Sequence, residues 1–84
     1  SMLLASLEDD RQVIREARSI NDRQAMIDRV HRLHGATRYC GVPQLRAACE
    51  RSETLLKQNH PSAAQALDEL DSAIERLENE ARVV

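Results

Sequence analysis

Apolar residues recur along this chain at gaps of three and four, and the pattern breaks at three short stretches. That spacing gathers side chains on one face of an α-helix. Leu3, Leu7, Ile14 and Ala17 share the first face while Glu8, Asp9, Arg11 and Arg15 fall off it, which predicts a helix over about 3–19. Ile20-Asn21-Asp22 ends it, and Asn21 with Gln24 three positions later makes a capping-box pattern for the next helix. The second helix, about 22–39, carries its stripe at Met26, Val30, Leu33 and Thr37, the seam of a packed helix. Gly41 near a helix end and Pro43 in a first turn mark the following boundary. The third helix, about 43–58, is expected to bury Leu45, Ala48, Cys49, Ser52 and Leu55, with Leu56 beside them. Asn59-His60-Pro61 is the next break, and the fourth helix, about 61–82, lines up Ala63, Leu67, Leu70, Ile74, Leu77 and Ala81.

Helices of this length joined by such short turns must fold back on one another. The expected fold is therefore all-α, a single antiparallel up-down-up-down four-helix bundle over residues 1–84. An extended coiled coil fits less well, because two proline-marked turns interrupt the periodicity. One Tyr and no Phe or Trp leave the core to aliphatic side chains. Ser1 ahead of Met2 reads as an expression remnant, so the chain is expected to be a piece of a larger protein.

Charge narrows the function classes. Charged residues make up 31% of the chain yet nearly cancel, leaving a net charge of −2, whereas a nucleic-acid binder usually shows a basic excess. The faint helix-turn-helix look of residues 41–53 lacks a basic reading face. No apolar run approaches the roughly 20 residues that span a bilayer, and no signal peptide is visible, so a cytoplasmic domain without direct membrane contact is expected. Cys40 and Cys49 suit neither a disulfide framework nor a Cys-x-x-Cys site; Cys49 reads as a small buried apolar residue and Cys40 is left unassigned. A zinc site from His31, His34, Cys40 and His60 lacks the tight paired spacing of tetrahedral sites, and no metal or bound cofactor is expected.

The segment with chemical potential is Val30-His31-Arg32-Leu33-His34-Gly35-Ala36. On a helical wheel His31 lies about a quarter-turn from the seam, on the flank of the second helix. Gly35, one turn later, leaves bare backbone beside the imidazole, although a glycine inside a helix costs about 1 kcal/mol against alanine. Gly35 reads either as clearance for a bulky group on His31 or as a helix–helix contact point. Ile27, His34 and Arg38 surround the same flank, with Gln24 a turn back; Arg29 and Arg32 read as surface. A neutral imidazole is a competent nucleophile near neutral pH. If it took a phosphoryl group, His34 and Arg38 could offer hydrogen bonds and positive charge to the oxygens. The chain has no glycine-rich phosphate loop, so ATP binding is not expected.

That segment, followed by Gly41-Val42-Pro43-Gln44-Leu45 and then Cys49 and Glu53, resembles the histidine phosphotransfer (HPt) domain. Its wording is similar to the C-terminal HPt modules of BarA/GacS-type hybrid sensor kinases, and the resemblance covers essentially the whole chain. It implies that His31 is the phosphoacceptor, that Gly35 is the family's glycine beside it, and that the domain passes a phosphoryl group between receiver-domain aspartates. The donor would be the receiver of a hybrid kinase and the acceptor a response-regulator receiver, each bringing its own Mg²⁺ and docking in turn on overlapping sites. His34 stands where many members carry lysine, and Ser52 where an apolar core residue is more usual. The domain alone is expected to be a monomer and not an autonomous enzyme. The contrasting reading is a helical interaction bundle without phosphoryl chemistry, and His31 separates the two: its substitution would abolish transfer but leave an interaction module intact.

Overall fold

The aliphatic stripes condense into four helices: α1 Met2–Ser19, α2 Arg23–Thr37, α3 Pro43–Lys57 and α4 Ala63–Arg82. This computed structural model describes residues 2–38 and 42–82, with side chains described for 6–38 and 42–80. Leu3, Tyr39, Cys40, Gly41 and Ala81 as stripe or turn residues therefore lie outside the described side chains. Each helix packs on its neighbours around a ring, α1 on α2, α2 on α3, α3 on α4 and α4 back on α1, to give a body of 38 × 22 × 18 Å. The α1–α4 pair runs antiparallel, because Arg11 pairs with Asp71 and Glu78 while Arg18 reaches back to Asp68 and the Ala64 carbonyl.

The core is aliphatic throughout. Leu7, Ile14 and Ala17 from α1, Met26, Val30 and Leu33 from α2, Leu45, Cys49 and Leu56 from α3, and Leu67, Leu70 and Ile74 from α4 make one cluster. In α3, Leu56 takes the buried place while Leu55 and Ala48 are only half-buried. Burial pushes the Cys49 thiol up to about 12, helped by the nearby charges of Asp10 and Glu53, so it stays a protonated apolar filler. Ser52 is fully buried, and its Oγ has no hydrogen-bond partner.

The turns differ from expectation in one respect. Asn21 does not cap α2; it closes α1 in the left-handed conformation at φ 56°. The Asp22 amide donates to the Ala17 carbonyl (2.8 Å) and the Asn21 amide to Arg18 (3.2 Å), which is a Schellman end. Asp22 is the N-cap of α2, its Oδ1 accepting from the Ala25 amide at 3.1 Å, and Gln24 bonds Asp28 instead of completing a capping box. Asn59 closes α3 in the same way, at φ 50°, with the His60 amide donating to Leu55. His60 Nδ1 then accepts from the Ser62 amide, so this imidazole organises the α3–α4 turn.

Candidate functional site

The seam of α2 determines what its flank presents. Met26, Ile27, Val30, Leu33 and Thr37 are buried, so the helix cannot rotate without exposing them. His31, off that stripe, is held outward with its side chain 72% exposed. A Cβ added at Gly35 would meet nothing within 4 Å, so this glycine faces open space and is not a close helix–helix contact. A bulky group on His31 therefore has room on that side.

Glu53 of α3 comes up beneath the imidazole. Its Oε2 lies 2.9 Å from His31 Nδ1 and 2.8 Å from Lys57 Nζ, while the carboxylate side chain is only 11% exposed. Burial alone would raise this carboxyl, but the hydrogen bonds from Lys57 and His31 outweigh it and hold the group below the usual glutamate range. An ionised carboxylate can only accept. Nδ1 must therefore carry the proton in the His31–Glu53 contact, which leaves the lone pair of the neutral ring on Nε2. The seam and the carboxylate together fix both the direction and the tautomer of an exposed imidazole.

His34 is placed differently from its neighbour. Its ring is 18% exposed, Nδ1 stands 3.8 Å from Glu53 Oε1, beyond hydrogen-bond reach, and Nε2 is buried without a partner. It is tucked between α2 and α3 and does not present a nitrogen beside His31 in solvent. Arg38 is exposed at the C-cap of α2, seven residues and so about 10 Å along the axis from His31. Ile27, expected on the flank around His31, belongs instead to the core, at 9% exposure. Arg29 also departs from its surface reading: it leans onto α1, with Nε 3.1 Å from Asp10 Oδ1, and pairs with Asp9. Burial pushes the Asp10 carboxyl up, although Arg29 and Arg32 pull against it. Gln24, Asp28, Arg32 and Gln44 are exposed.

Among the described residues no three His, Cys, Asp or Glu side chains converge as a metal cluster, and Cys40 of the zinc set lies outside them. No described helix is long and apolar enough to cross a membrane. Glu53 and Lys57 were not singled out as site residues from the sequence, where Glu53 figures only as part of a motif. The available signal was positional: Val42 lies midway in sequence between His31 and Glu53, so folding α3 back on α2 about that turn sets the two face to face.

Comparison with known proteins supplies the context. The profile of the Hpt domain family matches residues 1–80. The chain is 71% identical over 82 residues to the sensor histidine kinase GacS of Pseudomonas protegens, which covers 98% of this chain and 9% of that protein. It is 67% identical over 84 residues to the sensor protein GacS of Pseudomonas syringae pv. syringae, covering 100% of this chain and 9% of the relative. The signal transduction histidine-protein kinase BarA of Shigella flexneri is 31% identical over 77 residues, 84% of this chain and 8% of that kinase. The chain thus spans less than a tenth of the length of these relatives. No solved structure matches it.

Proposed function

Because the chain belongs to the Hpt domain family, the histidine phosphotransfer modules of phosphorelays, we propose that Nε2 of His31 is the atom that carries the phosphoryl group. The observation that carries this reading is the pairing of an exposed imidazole with a buried, ionised carboxylate on its other nitrogen. Gly35 provides the space that a phosphoryl group needs.

The transfer then balances without any proton moving. The Nε2 lone pair attacks the phosphorus of a receiver's aspartyl phosphate, and the bond from phosphorus to the aspartyl oxygen breaks. That electron pair leaves with the carboxylate. The ring keeps its Nδ1 proton and acquires positive charge as the phosphorus–nitrogen bond forms, directly against Glu53. A second receiver reverses the step: its aspartate attacks, and Nε2 departs with its lone pair. Catalysis here is positioning and electrostatics, with Glu53 as a positioning residue and the bundle as the rigid holder.

The family assignment supports a role as a relay within a longer hybrid kinase, on the cytosolic side, with ATP bound elsewhere in that kinase. Its partners are the kinase's receiver as donor and a response-regulator receiver as acceptor. The Mg²⁺ that such chemistry uses is assigned to the receivers. Both receivers use the outward face of α2 around His31, so they bind one at a time; a complex holding both would contradict this.

The test is to mix the domain with an aspartyl-phosphorylated receiver and Mg²⁺ and weigh it, beside a His31→Gln control. An acid-labile phosphoryl adduct on the wild type and none on the control is expected. An adduct retained by the control would move the site to His34 or His60. No adduct with several receivers would favour an interaction bundle without phosphoryl chemistry.

A further inference from the structure

We propose that Lys57, on α3, is the cation that holds the phosphoryl oxygens once His31 is loaded, in place of the residue three positions after the histidine. The inference rests on His31 as the phosphoacceptor and names a second residue for the same step.

Reach decides which cation can serve. His34, at that third position, is turned inward with Nε2 buried, and so offers no donor to a group in solvent on His31. Arg38 stands two helical turns away. Arg29 is committed to Asp9 and Asp10 on the α1 side. Arg32 is the next residue along α2 and points about 100° around the helix from His31. Lys57 differs from all of these. Its Nζ and the His31 Nδ1 sit on one and the same oxygen, Glu53 Oε2, at 2.8 and 2.9 Å. The ammonium and the imidazole are therefore within two hydrogen-bond lengths of each other, on adjacent helices.

Chemistry suits the role. Lys57 is 58% exposed, so its stem can swing, and an ammonium has three donors. The flexible stem lets the ammonium swing from Glu53 towards a phosphoryl oxygen once the ring is loaded. The need is also local: a dianionic phosphoryl group on Nε2 shares one ring with the Glu53 carboxylate held on Nδ1, and uncompensated like charges would favour return of the group to the receiver. Lys57, already paired with Glu53, is the cation placed to offset that repulsion.

The experiment compares wild type, Lys57→Gln, Lys57→Arg and His31→Gln by two readouts. Single-turnover transfer from a phosphorylated receiver should fall about tenfold in Lys57→Gln and largely recover in Lys57→Arg. On the phosphorylated domain alone, phosphorus NMR should show the phosphoryl titration midpoint raised by about half a pH unit in Lys57→Gln, since a lost cation disfavours the dianion. Circular dichroism checks that this exposed substitution leaves the helices intact. Wild-type transfer and an unmoved midpoint in Lys57→Gln would overturn the assignment of Lys57 while leaving His31 standing. Absence of any adduct on wild type, or an adduct retained by His31→Gln, would overturn both.

Discussion

Replacing Glu53 by glutamine isolates the electrostatic half of the proposed mechanism. The carboxylate accepts from His31 Nδ1 at 2.9 Å in a setting where its side chain is 11% exposed. A hydrogen bond to a charged group contributes about 1.5–3 kcal/mol, and a neutral one about 0.5–1.5 kcal/mol. Glutamine keeps an acceptor for Nδ1–H and loses the charge, so the difference is about 1.4 kcal/mol, or about tenfold in rate. Positive charge grows on the ring only as the phosphorus–nitrogen bond forms. The loss should therefore appear in the rate at saturating receiver and leave the half-saturating concentration nearly unchanged. Glu53→Leu removes the acceptor altogether, frees the tautomer and unfixes the ring, for a loss of about 10²-fold. Rapid-quench transfer from a radiolabelled receiver over a range of receiver concentrations measures both quantities, with urea unfolding as the check on the fold. Wild-type saturating rates in both variants would refute the role given to Glu53.

Three further outcomes concern stability. Ser52→Ala should stabilise the domain by about 1 kcal/mol, because a fully buried Oγ without a partner costs about 1–3 kcal/mol; calorimetry should show the Tm rise by about 5 °C, and a fall would contradict the orphaned hydroxyl. Asn59→Gly should be neutral or stabilising and Asn59→Ala should lose about 1 kcal/mol, since only the glycine takes a φ of 50° without strain; equal urea midpoints would contradict the left-handed end of α3. Arg11 and Arg15 hold Asp71 below its ordinary 3.8, and the bonds from Lys57 and His31, outweighing burial, hold Glu53 below 4.5. Both therefore contribute stability that is fully present above those ordinary values and is lost as pH falls through the lowered native ones. Asp10, pushed up by burial, has the opposite sign and loses a penalty on acidification. Urea midpoints from pH 7 to 3 should drop below pH 4.5, and Glu53→Gln with Asp71→Asn should flatten that drop.

Periodicity made the helices legible because an aliphatic core has only the stripe to specify it. Leu67, Leu70 and Ile74 needed nothing more than their spacing to be placed. Ser52 was placed correctly for the same reason, although its hydroxyl argued against it. Asp10 shows the converse. It lies on the stripe between Leu7 and Ile14, and is buried there, yet a carboxylate in that row is read as a gap until its partner Arg29 is seen on the next helix. The turn at 20–22 was misassigned by one residue because asparagine serves both a left-handed helix end and an N-cap, and only backbone geometry separates the two. His31 and Gly35 could be singled out because the spacing is local to one helix. The tautomer could not be read: it depends on Glu53, twenty-two residues away, whose carboxylate is delivered by the register of α3 on α2.

In the proposed mechanism Glu53 keeps the proton on Nδ1 and so leaves Nε2 of His31 as the atom that is phosphorylated. Nitrogen-15 NMR of the histidine-labelled domain, recorded before and after phosphorylation by a receiver, tests it directly. The free His31 ring should be the Nδ1–H tautomer, and the phosphorus coupling should appear on Nε2 of the same ring. A phosphoryl group on Nδ1, or on the ring of His34 or His60, would contradict it.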